Sequence, residues 1–134
     1  MDEKDSKILE TLKEDGRASY TQIAEELDVS EGTIRNRVRN MQEEGVIEKF
    51  TVETDQENVS AVVLAKLSTS SMPGKIIKDF PTGLKIYEVT GEHDLVINIG
   101  REDMEEINNV VDEIRNIEGV SETLTKSVLK ETET

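Results

Sequence analysis

Ile8, Leu9 and Leu12 recur at helical spacing between Glu3 and Glu14, and Asp15-Gly16 then breaks the pattern. This predicts a first helix closed by a left-handed turn at Gly16. Ser19 followed three residues later by Gln22 is a capping-box pattern, opening a short second helix whose buried side is Ile23, Ala24 and Leu27. Ser30 caps a third helix over Glu31 to Glu44, with Ile34, Val38 and Met41 on one stripe and Gly45 just past its end. Val46 to Thr54 reads as a strand, and Asp55 to Ser60 carries no apolar periodicity. Beyond it the period changes. Ala61 to Thr69 is a strand, Pro73 to Phe80 a short helix entered through proline, and Leu84 to Thr90 a strand with Leu84, Ile86 and Glu88 on one side. Gly91-Glu92-His93-Asp94 is a tight turn into the strand Leu95 to Ile99. Met104, Ile107, Val110, Val111, Ile114 and Ile117 make an amphipathic helix closed by Glu118-Gly119, and Ser121 to Lys130 supplies a last strand.

The order predicts an α+β chain in two domains. A winged-type helix-turn-helix with its following strand occupies 1–54, a linker 55–60, a ferredoxin-like βαββαβ domain 61–130, and a frayed tail 131–134.

Three short helices with a turn between the second and third are the layout that places a final helix in the DNA major groove. With the core stripe on Ile34, Val38 and Met41, helical spacing sends Arg35, Asn36, Arg39 and Asn40 to the opposite side and puts Thr33 and Arg37 on the flanks. Arg pairs with guanine or phosphate, Asn with the adenine edge, and Ser or Thr near a helix start with bases or phosphate. Alternating Arg and Asn also suit a merely solvated helix face; the preceding helix and turn favour the DNA reading.

Net charge points the other way. The 134 residues hold 16 Lys and Arg against 30 Asp and Glu, a formal charge of −14, which argues against a nucleic-acid or acidic-membrane partner. The acid is not evenly placed. Residues 1–50 carry eight bases and thirteen acids, residues 51–134 eight and seventeen, yet three of the chain's six Arg, against one acid, fall within 31–40. DNA meets a face and not an average. The remaining acid predicts weak non-specific binding and points to a salt-rich cytoplasm, where distant repulsion is screened.

Asp5-Ser6-Lys7-Ile8-Leu9, Gly16-Arg17-Ala18-Ser19, Ile23-Ala24, Val29-Ser30, Thr33-Ile34-Arg35-Asn36-Arg37-Val38 and Glu44-Gly45-Val46-Ile47 together closely resemble the Lrp/AsnC, or feast/famine, family of transcription regulators, over essentially the whole chain. The resemblance implies a helix-turn-helix over Thr21 to Asn40. Its best DNA-contact candidates are Ser30, Thr33, Arg35, Arg37 and Arg39, and the full candidate set adds Thr21, Gln22, Asn36 and Asn40. It also implies a βαββαβ sensor domain that dimerises, assembles further, and binds an amino acid between dimers near the turn at Gly91 to Asp94. Gly91 and Asp94 match the family's Gly-x-x-Asp pattern. Gly admits close backbone approach and Asp can accept from an α-amino group, although Asp94 also suits a plain turn. Thr123 and Thr125 share one face of the last strand, where hydroxyls could meet a carboxylate, or where β-propensity alone explains them.

The function expected is sequence-specific DNA binding as a symmetric homodimer or higher homo-oligomer, coupled to an amino-acid effector through assembly. The alternative is a metabolite-binding or assembly module whose helices contact protein instead. Catalysis is not expected: there is no Cys, no Gly-rich phosphate loop, no nucleophile elbow, and one histidine, His93, in a turn. No metal or other cofactor is assigned to it. A charged amino-terminal stretch and the lack of a long apolar run predict a cytoplasmic protein without a membrane partner.

Overall fold

The computed structural model describes residues 1–54, 59–68 and 72–134. The chain divides into two compact units, Met1–Asp55 and Gln56–Thr134.

In the first unit, α1 spans Glu3–Glu14 and starts in a capping box, with Asp2 accepting from the Asp5 amide at 2.9 Å and Asp5 accepting from the Asp2 amide at 3.3 Å. Its end differs from expectation. Gly16 does not take a positive φ; Asp15 stays extended, its amide donating to the Thr11 carbonyl and its side chain accepting from the Arg17 amide at 2.9 Å. An aspartate turn thus replaces the glycine cap. Helix α2, Tyr20–Leu27, is capped by Ser19 accepting from the Gln22 amide at 3.1 Å. Asp28 then takes a left-handed φ of 54°, and after one further residue Ser30 caps α3, Glu31–Glu43. Gly45, at φ 77°, turns the chain out of α3. Ile8, Ile23, Ala24, Ile34, Val38, Met41 and Ile47 form the core of this unit.

The strand expected over 46–54 is not formed. A strand needs a neighbour for its amides and carbonyls, and this unit offers no second strand among its described residues. Val46, Phe50 and Val52 are left exposed along it.

The second unit is a four-stranded antiparallel sheet in the order β2-β3-β1-β4, formed by β1 (Val59–Leu67), β2 (Lys85–Glu88), β3 (Leu95–Arg101) and β4 (Val120–Ser127). Between β1 and β2 the expected helix resolves into α4, Pro73–Ile76, and a 3-10 turn, Ile77–Asp79. Helix α5, Met104–Arg115, is capped by Asp103 and buries Ile107, Val110, Val111 and Ile114. This is the βαββαβ order read from the periodicity, with antiparallel neighbours throughout. Strand β1 already includes Val59 and Ser60, expected in the linker; residues 55–58 and Thr69 lie outside the described residues.

Register separates the two sheet faces. Val63 pairs with Ile97 on one side and Thr125 on the other, and Ala65 with Leu95 and Thr123. Ala61, Val63, Ala65, Leu95, Ile97 and Ile99 are buried with α5 on one face. The alternate positions Val62, Leu64, Tyr87, Val96 and Leu124 occupy the other face, where Tyr87 is 44% and Leu124 46% exposed. No described element of the unit covers them.

Candidate nucleic-acid interface and sensor turn

Because Ile34, Val38 and Met41 are drawn into the core, α3 must present the opposite side to solvent. Arg35, Asn36, Arg39 and Asn40 are all exposed there, as are Thr21 and Gln22 at the start of α2. Arg39 donates through Nη2 to Asn36 Oδ1 at 2.6 Å. Arg35 is ion-paired one turn back to Glu31 and lies over the Tyr20 ring, 5.8 Å from its centroid. The hydrogen bond that Arg35 donates to Glu31 raises the guanidinium's pKa above its ordinary value. Ser30 is occupied as the N-cap, accepting from the Thr33 amide at 3.2 Å, with its hydroxyl 2.8 Å from that of Thr33.

Arg37 stands apart from the other two. Its Nη1 donates to Asp2 at 2.6 Å and to Asp5 at 3.1 Å, and its side chain is only 28% exposed. The carboxylates that cap α1 therefore also tie it to the middle of α3. Hydrogen bonding to the two aspartates raises the Arg37 pKa, and the same bond to Arg37 holds Asp2 below the usual carboxylate value. Asp2 thus strengthens the tie at neutral pH, and this contribution fades as pH falls through its lowered pKa. Arg37, expected as a DNA-contact candidate on the flank of this face, is engaged by two acidic partners and braces α3 to α1.

Sequence spacing alone could have marked Glu31 as a partner for Arg35, four residues on. Tyr20 carried no such signal, since its contact with Arg35 exists only once α2 and α3 are packed.

In the second unit, Gly91 takes a φ of 114°, which a residue with a side chain rarely adopts, and opens the turn into β3. Asp94 closes it. Its amide donates to the Ala65 carbonyl at 2.9 Å, its carbonyl accepts from Val89 at 3.0 Å, and Oδ2 accepts from the Leu67 amide at 2.7 Å. Asp94 therefore pins the turn to the end of β1, where a bulge between Lys66 and Leu67 interrupts the register with β4. Replacing it with Ala should strip a partly buried amide of a charged acceptor, at about 1–3 kcal/mol. The melting temperature of this unit should then fall by roughly 5–15 °C, whereas Asp94→Asn, which keeps an acceptor, should lose less than half as much by calorimetry.

Lys66 lies 3.5 Å from Glu92 in the turn and 3.6 Å from Glu122 on β4, so this end of the sheet gathers the turn and the start of β4 around β1. Thr123 belongs to the same end, where its Oγ1 accepts from Arg115 Nε of α5 at 2.9 Å. Thr125 sits one inward-facing pair further along, opposite Val63, with its hydroxyl oxygen buried and without a partner among the described residues. Both threonines are on the α5 side of the sheet. A cavity of about 420 Å³ lies at the opposite end, lined by Ser60, Val62, Lys85, Asn98, Gly100 and Lys130 among others; Gly91, Asp94, Thr123 and Thr125 do not line it.

Known proteins with this arrangement are numerous. A winged helix-turn-helix DNA-binding family model matches residues 1–48, and the Lrp/AsnC ligand binding domain model matches residues 73–134. The HTH-type transcriptional regulator LysM of Saccharolobus solfataricus is 38% identical over 134 residues, covering 97% of this chain and 94% of its own. The chain belongs to the Lrp/AsnC family of transcriptional regulators.

Solved structures agree on the fold. E. coli AsnC superposes with a TM-score of 0.85 at 22% identity, over 100% of this chain and 95% of that one. A transcriptional regulator of Neisseria meningitidis, solved as an L-Met complex, does so with a TM-score of 0.83 at 22% identity, over 100% and 93%. The family members matched are regulators of transcription and not enzymes. Among the described residues no helix is long and apolar enough to cross a membrane.

Proposed function

We propose that this Lrp/AsnC regulator acts in the cytoplasm as a symmetric homodimer, or an assembly of such dimers, that lays the α3 helices of two copies in successive major grooves of double-stranded DNA. The observation that carries the reading is the outward face of α3, where Arg35, Asn36, Arg39 and Asn40 lie together in solvent on a chain otherwise rich in acid. Thr21 and Gln22 at the start of α2, and Ser30 and Thr33 at the start of α3, reach the phosphates. Polar side chains at helix starts suit that contact.

Two features support pairing of copies. The uncovered sheet face carries Val62, Leu64, Tyr87, Val96 and Leu124, and the unpaired 46–54 segment carries Val46, Phe50 and Val52. A second copy would cover the first and supply the strand neighbour the second lacks.

The effector is an amino acid, as the ligand-binding domain and the L-Met complex of the Neisseria relative suggest. The Gly91 to Asp94 turn lies apart from the 420 Å³ cavity, and the reading places the site between copies, with Asp94 ordering the turn and Thr123 and Thr125 behind it. An effector shared by two copies favours one assembly over another and so resets the spacing of the α3 helices. Sedimentation velocity and anisotropy with a selected duplex, repeated with each of the common amino acids, test this. At least one amino acid should change both the assembly and the DNA affinity by about fivefold or more. A monomer at every concentration, or indifference to all of them, would overturn the coupling.

A further inference from the structure

We propose that Arg35 is the side chain of α3 that reads a guanine, and that Glu31 and Tyr20 are positioning residues that hold its guanidinium ready to do so. The proposal deepens the DNA-binding reading above and rests on it. The three arginines of α3 have three different surroundings. Arg37 is tied to Asp2 and Asp5, and Arg39 leans on the neutral amide of Asn36. Arg35 alone is gripped by a carboxylate and stacked on an aromatic ring while its side chain stays 63% exposed.

That combination separates base reading from phosphate gripping. The Glu31–Arg35 pair is close to neutral as a unit, so it gains little from the charge of the DNA backbone. It keeps donors to spare, because a guanidinium has five N–H donors and Glu31 accepts from Nη2. The remaining donors suit the two acceptors, O6 and N7, that guanine alone presents side by side in the major groove. A free arginine must give up many rotamers to make that bidentate contact. One already held by a ring beneath and a carboxylate behind gives up fewer.

The test is selection from a randomised duplex library with the wild-type chain, followed by affinities of wild type, Arg35→Ala, Glu31→Gln, Tyr20→Phe and Tyr20→Leu for the selected site and for that site with each guanine changed to adenine. One guanine per half-site should matter about tenfold or more to the wild type, and Arg35→Ala should reduce that preference to about twofold or less. Glu31→Gln removes a negative charge from the DNA-facing side, so it should bind unselected duplex about two- to fivefold more tightly while losing most of the guanine preference. Those opposite signs cannot come from a loss of folding. Tyr20→Phe should keep the preference and Tyr20→Leu should weaken it about threefold. Full guanine preference in Glu31→Gln, or a loss in Arg35→Ala spread evenly over all positions, would overturn the proposal while leaving DNA binding intact. A wild-type chain that binds no duplex at any salt would remove the DNA reading and this one with it.

Discussion

Replacing Arg35 and Arg39 together with Ala should lower affinity for a selected duplex by about a thousandfold. Each arginine is expected to contribute at least ~1 kcal/mol, the low end for a good base or phosphate contact, and each substitution is repeated in both copies of a dimer. The sum approaches ~4 kcal/mol, close to three factors of ten. Both side chains are exposed and contribute nothing to the core, so the double variant should keep the wild-type melting curve. The salt dependence discriminates further. Where Arg39 neutralises a phosphate, the slope of log affinity against log salt should flatten by about 0.9 for each copy. Arg37→Ala should behave differently, because its guanidinium already serves Asp2 and Asp5. It should loosen the packing of α1 on α3 and weaken binding only as far as the unit unfolds, with an unchanged salt slope in the folded fraction. Fluorescence anisotropy at three salt concentrations separates these cases. A double variant within about threefold of wild type would move the recognition face elsewhere on the unit.

The solvent-facing side of α3 was readable from the sequence because helical geometry is local. Once Ile34, Val38 and Met41 are buried, the positions of Arg35, Asn36, Arg39 and Asn40 follow from the turn angle alone. The ties of Arg37 were hidden for the opposite reason. Its partners stand some thirty residues away at the start of α1, and no period in the sequence connects them. The βαββαβ order was legible because alternation and the stripe of α5 mark each element by itself, down to Ile107, Val110, Val111 and Ile114. The strand expected over 46–54 illustrates the limit: alternation can say that a segment is fit to pair, but only a neighbour makes it a strand. Gly16 and Asp15 show the same limit at smaller scale, since either could end α1 and the aspartate side chain, bonding to Arg17, decided it. The turn between β2 and β3 was located correctly, with Gly91 at positive φ, whereas the bond that Asp94 accepts from the Leu67 amide depended on β1 returning to within 2.7 Å of it.

Ile34→Ala should unfold the first unit and spare the second. Ile34 is fully buried on α3 among Ile8, Ile23 and Met41, so truncation removes its hydrophobic transfer energy and leaves a cavity, together about 2–5 kcal/mol. A unit of 55 residues has only about 3–8 kcal/mol in total. The loss is therefore comparable with the whole, and DNA binding should fail with it. The second unit has its own core around Val63, Leu95, Ile97, Ile107 and Ile114, and no residue of that cluster belongs to the first. Hydrogen exchange read by mass spectrometry should show peptides of α1 to α3 exchanging near the unfolded rate while those of β1, β3 and α5 remain protected. Ile34→Val, which removes one methylene, should cost about 0.5–1.5 kcal/mol and leave α1 to α3 protected at ambient temperature. Loss of protection in both units from Ile34→Ala would mean that they fold as one, and the two separate cores would then be cooperative through the chain that joins them.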